Sequence, residues 1–148
     1  STRRLRRSRT ASVGDFGRAK ARRRLAHSAH VRDMEASAAW YQRVFGWQVL
    51  RRFSDAEAVS PRILLLDTGS FFVLGLCQPD DASDDQFDYR RTGLDHFAFK
   101  VADQGELDAW EAHLANAGVD HSPVRDVEGL GRFISFDDPD GIQFELWL

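Results

Sequence analysis

His96 and Glu145 are the residues of this sequence whose types and positions best suit the binding of a metal ion. His96 lies in residues 94–103, where apolar side chains occupy every second position, and Glu145 lies on the less apolar side of residues 142–148. Such alternation predicts two strands, each with one apolar face. An imidazole and a carboxylate on strands that line one cavity suit a divalent ion. Taken singly, the two residues are also explained as a hydrogen-bonded strand histidine and a glutamate at a solvated edge.

A helix cap and a tight turn mark the ends of the elements that position these two side chains. Asp103 ends the strand of His96 as a helix N-cap, and Glu106 three positions on completes a capping box. The tetrapeptide Asp-Pro-Asp-Gly at 138–141 precedes the strand of Glu145. It predicts a tight turn, because proline fixes φ and glycine permits a positive φ.

The composition indicates a folded domain with a separate basic segment. The chain has 148 residues, 43% of them hydrophobic, and a single cysteine, Cys77, so no intrachain disulfide can form and a reducing, cytoplasmic compartment is expected. No apolar run approaches the roughly 18 residues of a membrane helix, so no membrane partner is expected.

Residues 1–24 hold ten basic residues and one acidic residue, which we interpret as a disordered segment. The remainder is acidic, which argues against a nucleic-acid partner.

The order strand–helix–strand–strand–strand occurs twice. We predict one module over residues 25–79, a polar linker over 80–92 and a second module over 93–148. Each module offers one apolar sheet face and one helix, and it cannot bury that face alone. The prediction is an α+β domain over residues 25–148, in which two βαβββ modules pair into an open, barrel-like sheet of eight strands with the helices outside. The predicted helices cover 34–45 and 104–118, and the predicted strands cover 25–32, 47–53, 61–67, 71–77, 94–102, 119–127, 132–136 and 142–148.

Three features together carry a family resemblance. They are the seven-residue step from His96 to Asp103, the Asp-Pro-Asp-Gly turn at 138–141, and Glu145 four residues after the glycine of that turn. On these features, residues 25–148 resemble the vicinal-oxygen-chelate superfamily, which includes glyoxalases, extradiol dioxygenases, epimerases, fosfomycin-modifying enzymes and bleomycin-resistance proteins. The resemblance implies an open barrel of paired βαβββ modules. In metal-dependent members it also implies one divalent ion, held by residues of the first and fourth strands of each module.

The resemblance assigns His96 and Glu145 to the two ligand positions of the second module. In the first module it assigns His27, although His27 lies six rather than seven residues before the helix N-cap. A count without a gap instead puts Ala26 at the ligand position and His30 on the inward face. Because a one-residue shift turns every strand side chain over, these two alternatives stay open, with His27 preferred.

The fourth ligand position falls on Val73, which cannot bind a metal. The implied ligand set is therefore His27, His96 and Glu145, and two histidines with one carboxylate leave positions of a divalent ion free for substrate. No catalytic acid or base is identifiable. The side chains expected to face the cavity and contact the substrate are Phe71, Val73, Lys100, Gln143 and Trp147.

The resemblance favours a metal-dependent lyase, isomerase or dioxygenase. One divalent ion (Fe, Mn, Ni or Zn) would bind vicinal oxygens of a small substrate and act as a Lewis acid. The alternative is a metal-free protein of the bleomycin-resistance type, which sequesters an aromatic or cationic small molecule. A homodimer is expected by analogy with the family.

Overall fold

The computed structural model describes residues 27–54 and 61–148. The predicted disordered segment, residues 1–24, lies outside this described part. Neither helix in the described part of the chain has the length and apolar composition of a membrane span. In chain order the elements are β1 His27–His30, α1 Met34–Phe45, β2 Gln48–Phe53, β3 Arg62–Leu66, β4 Val73–Cys77, β5 His96–Lys100, α2 Gln104–Asn116, β6 Arg125–Val127, β7 Gly131–Asp137 and β8 Gln143–Trp147.

The strands form two four-stranded sheets, one for each predicted module. The strand orders are β1-β4-β3-β2 and β5-β8-β7-β6. In each sheet the first and fourth strands of the module pair in parallel, and the remaining pairs are antiparallel. The predicted pair of βαβββ modules is thus confirmed.

The predicted caps fix where both helices begin. The Asp33 side chain accepts a hydrogen bond from the backbone N–H of Ala36 at 2.9 Å, and Asp103 does the same for Glu106. Gly46 ends α1 with φ of 70°, which glycine adopts without steric cost, and its N–H donates to the carbonyl of Gln42. The capping pattern therefore predicts α1 at its observed bounds.

The predicted strand over residues 119–127 is wrong over most of its length. Only Arg125–Val127 pairs as β6, and before it a single bridge joins His121 to Phe136. Pro123 lies between the two and has no N–H to donate to a ladder, which explains the interruption.

One hydrophobic core is shared by the two modules. Phe144 on β8 is fully buried, and its ring centroid lies 5.7 Å from that of Tyr41 and 5.2 Å from that of Phe45, both on α1 of the other module. Phe72, which precedes β4, and Phe99 of β5 meet edge to face, with their ring centroids 5.1 Å apart. Each apolar sheet face is therefore buried partly by the opposite module, as the repeat requires.

A polar network joins Arg32 and helix α1 of the first module to the turn before β8. The Tyr41 hydroxyl donates to Asp138 at 2.6 Å, and Asp138 also accepts the backbone N–H groups of Asp140 and Ile142. Asp140 in turn accepts from both the backbone and the guanidinium of Arg32. Burial raises the pKa of Asp138 above its usual range, despite these donors. The Asp-Pro-Asp-Gly segment is thus both a turn and an inter-module joint.

Candidate functional site

The candidate site lies on the second sheet, on the face that points away from the shared core. We call this the open face of the second sheet. The strand register puts Ala98 opposite Glu145, and Lys100 opposite Trp147, and side chains of paired positions point to the same side of a sheet. Since His96 is two residues before Ala98, it shares this face. Five predicted site residues are thus brought onto one face: His96, Lys100, Gln143, Glu145 and Trp147.

His96 and Glu145 are in direct contact. Nε2 of His96 lies 3.4 Å from Oε2 of Glu145, and 12% of the Glu145 side chain is exposed against 34% of the His96 side chain. Nδ1 of His96 lies 2.6 Å from a carboxylate oxygen of Asp95, which fixes the orientation of the ring. The Trp147 indole donates to Oε2 of Glu145 at 2.7 Å. The imidazole therefore stands between two carboxylates, one of them largely buried.

An aromatic surface adjoins this polar pair. The rings of Phe133 and Trp147 are stacked, with centroids 4.4 Å apart and planes 12° apart. Trp147 stays partly exposed, while Phe133 beneath it is buried. Because the indole N–H is held by Glu145, the Trp147 ring is fixed at both its face and its edge. The open face thus offers a rigid flat ring beside a carboxylate.

Asp95 and Phe133 are not among the site residues predicted from the sequence. Neighbouring strand residues point to opposite faces, so alternation separates Asp95 from His96, but Asp95 precedes β5 and is not bound by strand geometry. Phe133 lies in β7, where four consecutive residues are buried, so burial does not distinguish the two faces of this strand. Trp147 is a predicted contact residue, and pairing β7 with β8 as a hairpin would have placed Phe133 directly opposite it.

The described residues do not fit a closed metal site. Among residues 27–54 and 61–148, no group of three or more His, Cys, Asp or Glu side chains is placed to hold a metal ion. Structural zinc takes four ligands from the protein, and catalytic zinc usually takes three. His96 and Glu145 supply two, and the first module contributes none within this part of the chain.

Equivalent hydrogen bonds align the two modules. Val31 N–H donates to the carbonyl of Cys77 in the first, and Val101 N–H donates to that of Trp147 in the second. Counting back two residues from Cys77 and from Trp147 places Gly75, rather than Val73, at the position of Glu145. The sequence-based match of Val73 to Glu145 is therefore displaced by two residues.

The first sheet leaves little space for a ligand side chain at position 75. A Cβ atom built on Gly75 would lie 2.9 Å from the hydroxyl oxygen of Ser28 and 3.2 Å from a methyl carbon of Leu64. The backbone of β4 is therefore packed closely against its neighbours, where β8 carries Glu145. A metal ligand is absent from this position for reasons of both residue type and space.

His27 points to the core and not to the open face. Its ring stacks on Phe72 at 5.2 Å and meets Phe97 edge-on at 5.9 Å, and both phenylalanines pack against the shared core. The structure therefore does not bring His27 together with His96 and Glu145, and the implied set of three ligands is not assembled in the described part of the chain.

The reason for this difference is the register of β1. With Val31 equivalent to Val101, the count from the N-cap has no gap, and the position equivalent to His96 is Ala26. Ala26 itself lies outside the described residues, and alanine has no metal-binding group. His30, the other alternative, is exposed on the face opposite the core. His30 rather than His27 therefore lies on the side of the first sheet that points away from the core, which is the side that His96 occupies in the second sheet.

Phe71 and Val73 belong to the first module, whereas the other predicted contact residues lie on the second sheet. Phe71 is 73% exposed in the turn before β4, with φ of 60°, and Val73 begins β4 in the first sheet. The assignment of substrate contacts to these two residues stays a prediction.

Comparison with known proteins identifies the family. Residues 24–146 match the model of the Glyoxalase/Bleomycin resistance protein/Dioxygenase superfamily. The chain is also 34% identical over 116 residues to the uncharacterized protein YwkD of Bacillus subtilis (strain 168), covering 78% of this chain and 88% of YwkD.

Solved structures agree with this match. A glyoxylase/bleomycin resistance protein/dioxygenase domain from Frankia sp. EAN1pec superposes with a TM-score of 0.74 at 31% identity, over 83% of this chain and 94% of that one. The fosfomycin resistance protein FosX of Listeria monocytogenes, solved as a point mutant with Mn(II) and 1S,2S-dihydroxypropylphosphonic acid, shares the fold with a TM-score of 0.62 at 24% identity, over 82% and 88% of the two chains. With the family model matching most of its length, the chain belongs to the Glyoxalase/Bleomycin resistance protein/Dioxygenase superfamily.

Proposed function

We propose that this protein binds a flat, cationic organic molecule on the open face of the second sheet, without a metal ion. The observation that carries the proposal is the direct contact between His96 and Glu145, with glycine at one of the equivalent first-module positions and alanine at the other. Because the Glu145 carboxylate would not be bound to a metal ion, its negative charge would be available to attract an organic cation.

The ligand class follows from the surroundings of Glu145. Its side chain is mostly removed from water, and electrostatic attraction is stronger where the effective dielectric constant is low. The partly exposed indole of Trp147 lies beside it, and a cation over an indole face gains about 0.5–2 kcal/mol. Asp95 adds a second negative charge next to His96. Lys100, exposed on the same face, supplies one positive charge against the two carboxylates. The balance of charge beside the indole therefore favours a positively charged aromatic molecule over an anion.

Replacing Glu145 by glutamine is expected to weaken binding of N-methylquinolinium, a flat aromatic cation, by about tenfold or more. Glutamine keeps the size of the side chain and an oxygen that accepts from Trp147, but it removes the charge. Isothermal titration of both proteins measures the change, with neutral methylnaphthalene as the uncharged probe.

The matched control for this experiment is Glu128→Gln, which removes a carboxylate from an exposed turn. It should bind N-methylquinolinium like the parent. Equal affinity of the parent and of Glu145→Gln for the cation, or equal affinity of the parent for the cation and for methylnaphthalene, would contradict the proposed role of Glu145.

A divalent-metal-dependent lyase, isomerase or dioxygenase is the second candidate function. It is favoured by the approach of His96 Nε2 and Glu145 Oε2 to the same point, which suits two ligands of one ion. A homodimer also remains a proposal, and a second copy is one source of a further ligand. Such an ion would polarise oxygens of a small substrate.

Metal analysis separates the two candidates. For the metal-free binding function we expect the purified protein to retain no stoichiometric Fe, Mn, Ni or Zn after incubation with each ion and desalting, and His96→Ala to behave identically. About one ion per chain that is lost in His96→Ala would instead support the enzyme. Sedimentation velocity on the same samples measures whether the chain pairs.

A further inference from the structure

Lys100 is a charged residue of the open face of the second sheet that the proposed cation site does not use. It is exposed, and it stands opposite Trp147 on the neighbouring strand. Within the described residues, Lys100 forms no ion pair. An ammonium group at this position repels a ligand that carries only positive charge, so it favours a ligand with a negative group as well.

The acidic residues nearest to Lys100 on another side already accept other hydrogen bonds. Asp67 and Glu106 border a cavity of about 280 Å³ together with Lys100. The Asp67 carboxylate accepts the backbone N–H groups of Gly69 and Ser70, and the Glu106 carboxylate accepts the backbone N–H of Ala102. These bonds hold the two carboxylates to their own turn and helix cap, so the charge of Lys100 stays available on the open face.

One face of the Trp147 indole is free to receive a flat ring. Phe133 of β7 stacks on one face, with planes 12° apart, and β5 lies on the other side of β8. The second indole face is therefore turned toward β5, where Ala98 and Lys100 share the open face. Ala98 is exposed and small, so it leaves space above the strand. We call this space, with Ala98 as its floor and the indole as its wall, the indole slot.

The indole slot has opposite charges at its two ends. Glu145 stands opposite Ala98, and Lys100 stands opposite Trp147, one step of two residues further along the strands. Two residues of a strand span about 7 Å. The backbone positions of the carboxylate and of the ammonium group are thus separated, along the strand direction, by a length comparable to that of one substituted aromatic ring.

We propose that the ligand is a zwitterion, an aromatic cation that also carries a carboxylate, and that Lys100 binds this carboxylate. The inference rests on the proposed function, because it names the ligand of the same site. The ring lies in the indole slot, its cationic nitrogen next to Glu145 and its carboxylate next to Lys100. A hydrogen bond between an ammonium and a carboxylate is strengthened by both charges. Lys100 supplies one positive charge, which a single carboxylate balances.

Arg125 is a second cation on the same face, but it lies outside the indole slot. It is exposed and stands opposite Phe133, so Phe133 separates it from the free face of Trp147. Lys100 and Arg125 occupy the two outer strands of the sheet, and three strand spacings put their backbones roughly 14 Å apart. Arg125 therefore provides a matched control, because its removal changes the charge of the face by the same amount.

Two probes of nearly equal size test the inference. N-methylnicotinate carries a pyridinium cation and a carboxylate, and N-methylnicotinamide carries the same cation with a neutral amide. Isothermal titration of the parent should show tighter binding of N-methylnicotinate, by about fivefold. In Lys100→Met, which keeps an unbranched side chain without the charge, this preference should disappear through weaker binding of N-methylnicotinate. Arg125→Gln should keep the preference of the parent.

The outcomes separate this inference from the proposed function. Equal affinity of the parent for the two probes, a preference that survives in Lys100→Met, or one that Arg125→Gln abolishes equally would overturn the role of Lys100 and leave the cation site at Glu145 in place. Glu145→Gln should weaken the binding of both probes, because both carry the cation. Parent protein that binds neither probe, or unchanged binding of both in Glu145→Gln, would overturn the cation site and this inference with it.

Discussion

Replacing Asp138 by alanine is expected to lower the free energy of unfolding by about 3–5 kcal/mol. The change removes the acceptor of the Tyr41 hydroxyl and of the backbone N–H groups of Asp140 and Ile142. All of these groups lie at the joint between the modules, where Asp138 is 5% exposed, so water cannot easily replace the lost acceptor. Urea denaturation followed by tryptophan fluorescence measures the effect.

The matched control for Asp138→Ala is Asp137→Ala. Asp137 is the preceding residue and is exposed at the end of β7. Partial burial raises the pKa of Asp137 above its usual range. The control should unfold within about 0.5 kcal/mol of the parent. Equal losses in the two variants would show that the joint does not depend on the Asp138 hydrogen bonds.

Phe144→Ala is expected to destabilise the protein by about 3–5 kcal/mol through loss of transfer free energy and the cavity left behind. Phe144 is fully buried and contacts rings from both modules, among them Tyr41, Phe45 and Phe97. The cavity would therefore open at the centre of the shared core. The midpoint of urea denaturation should fall, and the slope should stay unchanged if unfolding remains two-state.

Phe71→Ala provides the comparison for this large loss. Phe71 has the same side chain but is 73% exposed, and alanine carries the same Cβ into its positive-φ conformation, so strain is unaltered. We expect a change within about 0.5 kcal/mol. A loss for Phe144→Ala no larger than for Phe71→Ala would contradict the placement of Phe144 at the centre of the core.

Local sequence signals predict the helices and the order of strands well. The N-cap Asp33 and the terminal Gly46 bound α1 where the structure has it. The same capping logic gives the start of α2 at Gln104. These signals act over a few residues, and the groups that satisfy them are close in the sequence, so tertiary structure has little chance to override them.

Register in the first module is not predictable in the same way. In β1, His27 and His30 are both polar and point to opposite faces, so composition does not reveal which one faces the core. In β4, the run from Val73 to Cys77 contains no charged or strongly polar side chain, and four of its five residues are buried. Where the two faces of a strand have similar side chains, the sequence pattern does not distinguish one register from another.

Long-range polar partners are also beyond pattern analysis. The turn at 138–141 is recognisable from its residues, but its bond to Tyr41 spans 97 positions and has no local signature. The same holds for the unpartnered Nε–H of Arg62, since a missing acceptor is visible only once every neighbour among the described residues is placed. The placement of His96 and Glu145 on one face of the second sheet is predictable because large apolar side chains occupy every second position in the sequences of β5 and β8.

The joint between the modules is made of contacts that are distant in the sequence. Its hydrogen bonds connect residues 97 to 108 positions apart, from Tyr41–Asp138 to Arg32–Asp140. The antiparallel pairs β3–β4 and β7–β8 close over far shorter loops, and short loops cost less entropy and close sooner. We therefore expect each module to assemble its hairpins first, and docking of the two modules, in which Asp138 loses its water, to come late. Slow refolding with early hairpin protection from hydrogen exchange is the kinetic signature of such a two-stage chain.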